Sequence, residues 1–300
     1  MRKDGMDTHH DMHCHLGFMT NGEEVARDAR TRGVLLFCNT VSPQEYAEAR
    51  ARFDGFDNVT VGFGMHPWWV VGASGHATAE ADSIGTASPD EARTVSQRTE
   101  RKMIKEQAQR ESNADAPAAC AQRGLVLEAL DETNPPIVGE IGLDFGRTHM
   151  TTRSEQLAMF SQIATWAAQK GGKLVSIHAV KSTDDVLRIL NEAGCLKTCT
   201  CVFHWFTGSS DLLKRAIQAG CYFSCGPRML ATGKGREYVK AIPTTQLLLE
   251  TDAPPARGVP YSFAELNAEL GSVAQSIAII KGENALTQIA ETSVRLLKNM

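Results

Sequence analysis

The sequence predicts an α/β chain whose eight parallel strands close into a single (β/α)8 barrel. Two observations carry that expectation. Short apolar runs recur eight times, most of them followed by turn residues and then by a helix-compatible stretch, which is the rhythm of parallel β/α units. No G-x-G-x-x-G turn follows any of these runs, which argues against a dinucleotide-binding open sheet.

In chain order the expected strands are 6–15, 34–39, 59–64, 137–143, 174–178, 200–204, 221–225 and 247–251. Helices are expected over 23–32, 43–52, 154–169, 183–192 and 210–219, with Gly33, Gly171, Gly194 and Gly220 just past four of them as left-handed stops. Segment 74–122 breaks the rhythm: it contains no Phe, Trp or Tyr, and its only larger aliphatics are Ile84, Val95, Met103 and Ile104. It reads as a polar insertion after the third strand, partly helical or disordered. At 300 residues and 42% hydrophobic content, the chain can bury one large core. Without the insertion its length is that of an ordinary barrel of about 250 residues.

Thirty-one basic residues against 35 acidic ones give a net charge of −4, so no global positive field draws in nucleic acid. The insertion holds eight acidic and six basic residues, hence half of that excess, and any phosphate site must be local. No apolar run of about 18 residues exists, and the opening MRKDGMDTHH lacks a signal-peptide core, so a cytoplasmic protein that avoids membranes is expected. Eight cysteines form no C-x-x-C pair. Cys195, Cys199 and Cys201 are close enough in sequence for a metal knot, but their apolar setting favours buried thiols.

The chemistry-bearing residues fall at strand ends. His13 and His15 flank Cys14, and strand alternation puts both imidazoles on one face. Glu140 places a carboxylate inside the apolar run Gly139-Glu140-Ile141-Gly142-Leu143-Asp144, where an unpaired charge is costly, so a cation must meet it. His178 and His204 close the fifth and sixth strands, and in a barrel those carboxyl ends line the active-site mouth. Asp252 ends the eighth strand, beside the first, before Ala253-Pro254-Pro255 stops it. Each residue alone also fits a structural role, as a core histidine, an ion-pair partner or a turn cap. Together, four histidines, one Glu and one Asp exceed one tetrahedral ion and suit two divalent cations sharing a carboxylate. Zinc, manganese, cobalt or iron fit such donors, and magnesium fits where water completes the shell.

These residues lie in motifs that resemble the TatD family of metal-dependent hydrolases: Asp11-Met12-His13-Cys14-His15-Leu16, Gly64-Met65-His66-Pro67, Gly139 to Asp144, His178, His204-Trp205-Phe206-Thr207-Gly208 and Glu250-Thr251-Asp252-Ala253-Pro254. The resemblance runs through the chain apart from the insertion. It implies that His13, His15, Glu140 and Asp252 hold one metal, and that Glu140, His178 and His204 hold a second. It further implies that His66 sits beside the metals and contacts substrate, and that the reaction is hydrolysis of DNA phosphodiesters, with Asp252 accepting the water's proton and digestion running 3′ to 5′ from DNA ends.

Three departures stand out. After His178 the family usually has His-x-Arg, whereas this chain has Val180 at the arginine position and Lys181 next, a point charge without the bidentate fork. The basic stretch that usually follows Asp252 is reduced to Arg257-Gly258, and 74–122 is inserted where it could serve as a lid or partner surface. Lys181, Arg228, Lys234 and Arg236 remain as local cations for a DNA end. Two rival readings are a metal-dependent hydrolase of carboxylic esters, lactones, amides or aminoacyl-esters, and a weakly catalytic barrel that binds a protein partner through 74–122.

Overall fold

The computed structural model describes residues 9–72 and 117–298. Eight strands are present: β1 (Asp11–Cys14), β2 (Leu36–Asn39), β3 (Val59–Met65), β4 (Ile137–Asp144), β5 (Leu174–Val180), β6 (Thr200–His204), β7 (Tyr222–Cys225) and β8 (Leu247–Leu249). They form one sheet in sequence order, with every neighbouring pair parallel. Just past β8 the ring is drawn together: the Asp252 amide donates to the His13 carbonyl at 2.8 Å, and the His15 amide donates to Ala253 at 2.7 Å. β1 begins at Asp11, later than expected, and residues 6–8 lie outside the described residues.

Helices alternate with the strands: α1 (Gly22–Thr31), α2 (Pro43–Arg52), α3 (Pro117–Thr133), α4 (Arg153–Lys170), α5 (Thr183–Ala193), the single turn α6 (Cys195–Thr198), α7 (Ser210–Gln218), the single turn α8 (Pro227–Leu230), α9 (Gly233–Ala241), α10 (Phe263–Lys281) and α11 (Asn284–Lys298). Local chemistry sets several boundaries. Ser42 caps α2 by accepting the Glu45 amide, with Pro43 as the first helical residue, and Ser209 caps α7 by accepting the Leu212 amide. α5 stops at Gly194, which takes the left-handed conformation that a side chain would strain.

Besides the single turns α6 and α8, four helices lie outside the segments that periodicity marked. The start of α3 falls within 74–122, and Gln122 joins it to the turn after β3 by donating to the Trp69 carbonyl and accepting the Val71 amide, both at 2.8 Å. Residues 73–116, with any lid or partner role assigned to them, lie outside the described residues. α9, α10 and α11 follow β7 and β8. Ser262 and Glu265 form a reciprocal capping box at the start of α10.

One large core joins the outer faces of the strands to the helices. A smaller cluster of Met12, Phe37, Ile137, Leu174, Val202 and Leu248 is covered by Leu296 and Leu297 of α11. Ile137 and Leu174 begin their strands, so this plug fills the amino-terminal end of the barrel and leaves the opposite end for chemistry. Of the eight cysteines, all free, six are buried, Cys199 is half-buried and Cys120 is exposed. No helix among the described residues is long and apolar enough to cross a membrane.

Candidate metal centre

Two irregular strands aim the central residues. In β4, Val138 pairs with Val175 but Ile141 pairs with Ile177, so β4 spends one extra residue around Gly139 and Glu140. β1 shows the same slip between Asp11, opposite Leu36, and Cys14, opposite Cys38. Such bulges bend a strand and redirect a side chain. Gly139 is required at its position because an added Cβ would lie 2.5 Å from the Ser176 Cβ and 2.8 Å from the Asn39 Oδ1.

Glu140 is 2% exposed, and its two oxygens face different partners. Oε2 lies 3.5 Å from His13 Nε2 and 3.6 Å from His15 Nε2. Oε1 lies 2.8 Å from His178 Nδ1, 3.4 Å from His204 Nε2 and 3.7 Å from His66 Nε2. Asp252 joins the first group, with Oδ1 at 3.5 Å from His15 Nε2 and 3.9 Å from His13 Nε2. The structure therefore brings together all six residues marked as candidate ligands, with His66 beside them.

The far side of each ring is held as well. His13 Nδ1 hydrogen-bonds the Ser176 hydroxyl at 3.1 Å, and His15 Nδ1 donates to the Asn39 carbonyl at 3.1 Å. His204 Nδ1 donates to Glu250 at 3.2 Å, and Glu250 also accepts from the Ser224 hydroxyl. In all three rings Nε2 is left facing inward, as carboxylate- and carbonyl-oriented metal histidines require. His66 differs: its Nδ1 accepts the Trp68 amide at 3.2 Å, so in the neutral ring the proton sits on Nε2, which faces Glu140. That makes His66 a hydrogen-bond donor. His178 spans two carboxylates, Glu140 and Asp144, the latter 3.2 Å from Nε2 and also accepting from the Trp68 indole at 2.7 Å.

Proton affinities follow these contacts. Burial disfavours charge on His178, but hydrogen bonds to Asp144 and Glu140 override it and push its pKa up to about 10. His204 is buried too, yet Glu250 and Glu140 raise it to about 9. Burial dominates at His66 and lowers it to about 3, which keeps the ring neutral. For Glu140 and Asp252 burial opposes ionisation, and the surrounding imidazoles prevail, holding Glu140 well below the usual carboxylate range and Asp252 at about 2.

The donor set fits divalent metal. His13 Nε2 is fully buried and has no hydrogen-bond partner, a costly arrangement unless an ion takes its lone pair. Two ligands each about 2.1 Å from a tetrahedral ion lie about 3.4 Å apart, close to most of the spacings around Glu140. Ligand atoms of His13, His15 and Asp252 fall within 4.8 Å of one another.

Residues 10–298 match the family described as TatD related DNase. The chain belongs to the TatD family. Among its relatives, a human protein named deoxyribonuclease TATDN3 is 29% identical over 189 residues, covering 59% of this chain and 67% of that protein. A TatD protein of Escherichia fergusonii, named a 3′-5′ ssDNA/RNA exonuclease, is 28% identical over 187 residues, covering 59% of this chain and 71% of its own length. Over the first three curated relatives the match spans 61 to 67% of their lengths. The TatD-family hydrolase structure from Entamoeba histolytica superposes with a TM-score of 0.66 at 14% identity, covering 98% of this chain and 99% of the other, and so shares the barrel fold.

Several residues around this TatD-family site carry signals that their types alone do not decode. Glu250 and Asp144 stand in the motifs without a role that sequence assigns, and their work depends on which imidazole each meets. Arg257 does not reach the centre. It stacks over Phe18 at 4.1 Å from the ring centroid and pairs with Glu45 at 3.2 Å, while Phe18 stacks on His15. Lys181 is exposed just past β5, at φ +53, and makes no hydrogen bond or ion pair among the described residues.

Proposed function

We propose that this chain is a binuclear metal-dependent hydrolase that cleaves DNA phosphodiesters from the 3′ end. The observation that carries the reading is the division of Glu140: one oxygen faces His13 and His15, the other faces His178 and His204. A carboxylate so placed suits two divalent cations, with His13, His15, Glu140 and Asp252 holding one and Glu140, His178 and His204 the other. When bound, such ions lower the pKa of water towards neutrality and neutralise charge developing on a phosphate. Asp252, ionised at neutral pH, accepts the proton of the attacking water, and the alkoxide released as the P–O bond breaks takes up a proton from solvent. His66 donates Nε2–H to a phosphate oxygen, and Lys181 meets the polynucleotide at the rim. The directional preference draws support from the name of the Escherichia fergusonii relative.

Metal analysis of the purified protein should find about two divalent ions per chain. Glu140→Ala should lose both the metal and the hydrolysis of a 5′-labelled single strand, and the wild type should give a ladder shortened from the 3′ end. Wild-type metal content in Glu140→Ala would overturn the site. Turnover of carboxylic esters or amides with none of single-stranded DNA, duplex DNA or RNA would reject the nuclease reading.

A further inference from the structure

Four cations remained available for a phosphate, and the structure separates them. Lys234 is spent on the Gly208 carbonyl at 2.6 Å, and Arg236 on the carbonyls of Leu230 and Ala231. Lys181 stands exposed without an anchor. Arg228 alone of the four is tied to the centre: Nη1 donates to Asp252 Oδ2 at 3.0 Å, while Asp252 Oδ1 faces His13 and His15. Its guanidinium carbon lies 5.5 Å from the Trp205 ring centroid. Trp205 follows His204 at φ +37, a strained conformation for a non-glycine residue that gathers at functional sites.

Arg228 has five N–H donors, and Asp252 is its single hydrogen-bond partner among the described residues. The side chain is 39% exposed, and it lines a small groove with Trp205, Gly226, Met229, Glu250 and Asp252. Even paired with Asp252, a guanidinium beside a site suited to two divalent cations adds positive charge there. The arrangement becomes favourable when an anion lies between, because the remaining donors and the cations then face the same oxygens.

We propose that Arg228, oriented by Asp252 and backed by Trp205, grips a non-bridging oxygen of the scissile phosphate and selects phosphodiesters over neutral acyl substrates. The assignment rests on the phosphodiesterase reading. It differs from a purely structural ion pair, which would hold Asp252 and leave phosphate binding untouched.

The test compares metal-loaded wild type with Arg228→Ala, Arg228→Lys and Arg188→Ala, the last removing an equal charge on the outer face of α5. Inorganic phosphate is titrated calorimetrically, and turnover is followed on bis(p-nitrophenyl) phosphate and p-nitrophenyl acetate. Arg228→Ala should weaken phosphate binding about 10- to 100-fold, as expected for losing a hydrogen bond to a charged group, with metal content unchanged. Arg228→Lys should recover part of the loss, since lysine keeps the charge without the fork. Diester kcat/KM should fall in parallel, any acetate turnover should persist, and Arg188→Ala should match wild type. The proposal is overturned by phosphate affinity that is unchanged in Arg228→Ala, unmeasurable in wild type, or lost only together with metal. Acetate turnover without diester turnover in wild type defeats the phosphodiesterase reading instead, while the phosphate titration still judges Arg228.

Discussion

Glu250 shows how much of this site is decided one residue behind the candidate ligands. It is 1% exposed, and it holds His204 Nδ1 while accepting from Ser224, so His204 Nε2 is presented to Glu140 in a fixed orientation. Glu250→Gln keeps the shape and removes the charge that stabilises the oriented ring. Orienting partners of this kind are worth about 10- to 100-fold in metal affinity or activity. The variant should therefore bind a divalent ion at His204 about 10- to 100-fold less tightly in a competition titration, while binding at His13, His15 and Asp252 is unchanged. Equal loss of both ions would show that Glu250 supports the whole cluster.

At the scale of elements, the centre depends on the extra residue that β4 spends opposite β5. Gly139→Ala forces a methyl against Ser176 and Asn39, the residues that steady His13 and His15, and overpacking of this kind costs about 1–3 kcal/mol. The variant should lose stability and metal together. Ser209→Ala is the contrast: it removes the cap of α7 on the outside of the barrel, costs about 0.5–2 kcal/mol and should leave metal content and turnover unchanged. Denaturant melts of both variants, read beside metal analysis, separate the two effects. The same contrast explains what was legible in the sequence. His13, His15, His178, His204 and Asp252 could be found because each is a polar residue closing an apolar run, and Glu140 because it interrupts one from within. The bulges, the pairing of Asp144 with His178 and the place of Arg228 arise only when distant strands meet. α10 and α11 follow the last strand, beyond the β/α rhythm, so strand-centred reading passes over them even though Ser262 and Glu265 mark where α10 starts.

For the whole molecule, the cluster ties fold stability to pH and metal. His178 and His204 have folded pKa values of about 10 and about 9, above the ordinary histidine value of 6.5. Their contribution is complete below pH 6.5 and is lost as pH rises through 9 and 10, because the unfolded chain sheds these protons first. Asp11 acts in the same direction: burial raises its carboxyl to about 7 against hydrogen bonds from Thr251 and the His13 amide, so ionising it weakens the fold as neutrality is reached. Asp252 has the opposite sign, its contribution being present above 3.8 and lost as pH falls towards 2. Between pH 6.5 and 9 the contribution of His178 and His204 falls, so chelated protein should lose stability over this interval. Metal requires imidazole lone pairs, so its uptake displaces those protons and tightens over the same interval. Metal at one hundred times its dissociation constant adds about 2.7 kcal/mol. For a chain of 300 residues that corresponds to about 4 °C in Tm. The Tm difference between metal-loaded and chelated protein should accordingly widen from pH 6.5 to 9, and calorimetry in buffers of different ionisation enthalpy should record proton release on metal binding. A Tm difference that stays constant across the interval would show that His178 and His204 do not give up protons to the metal.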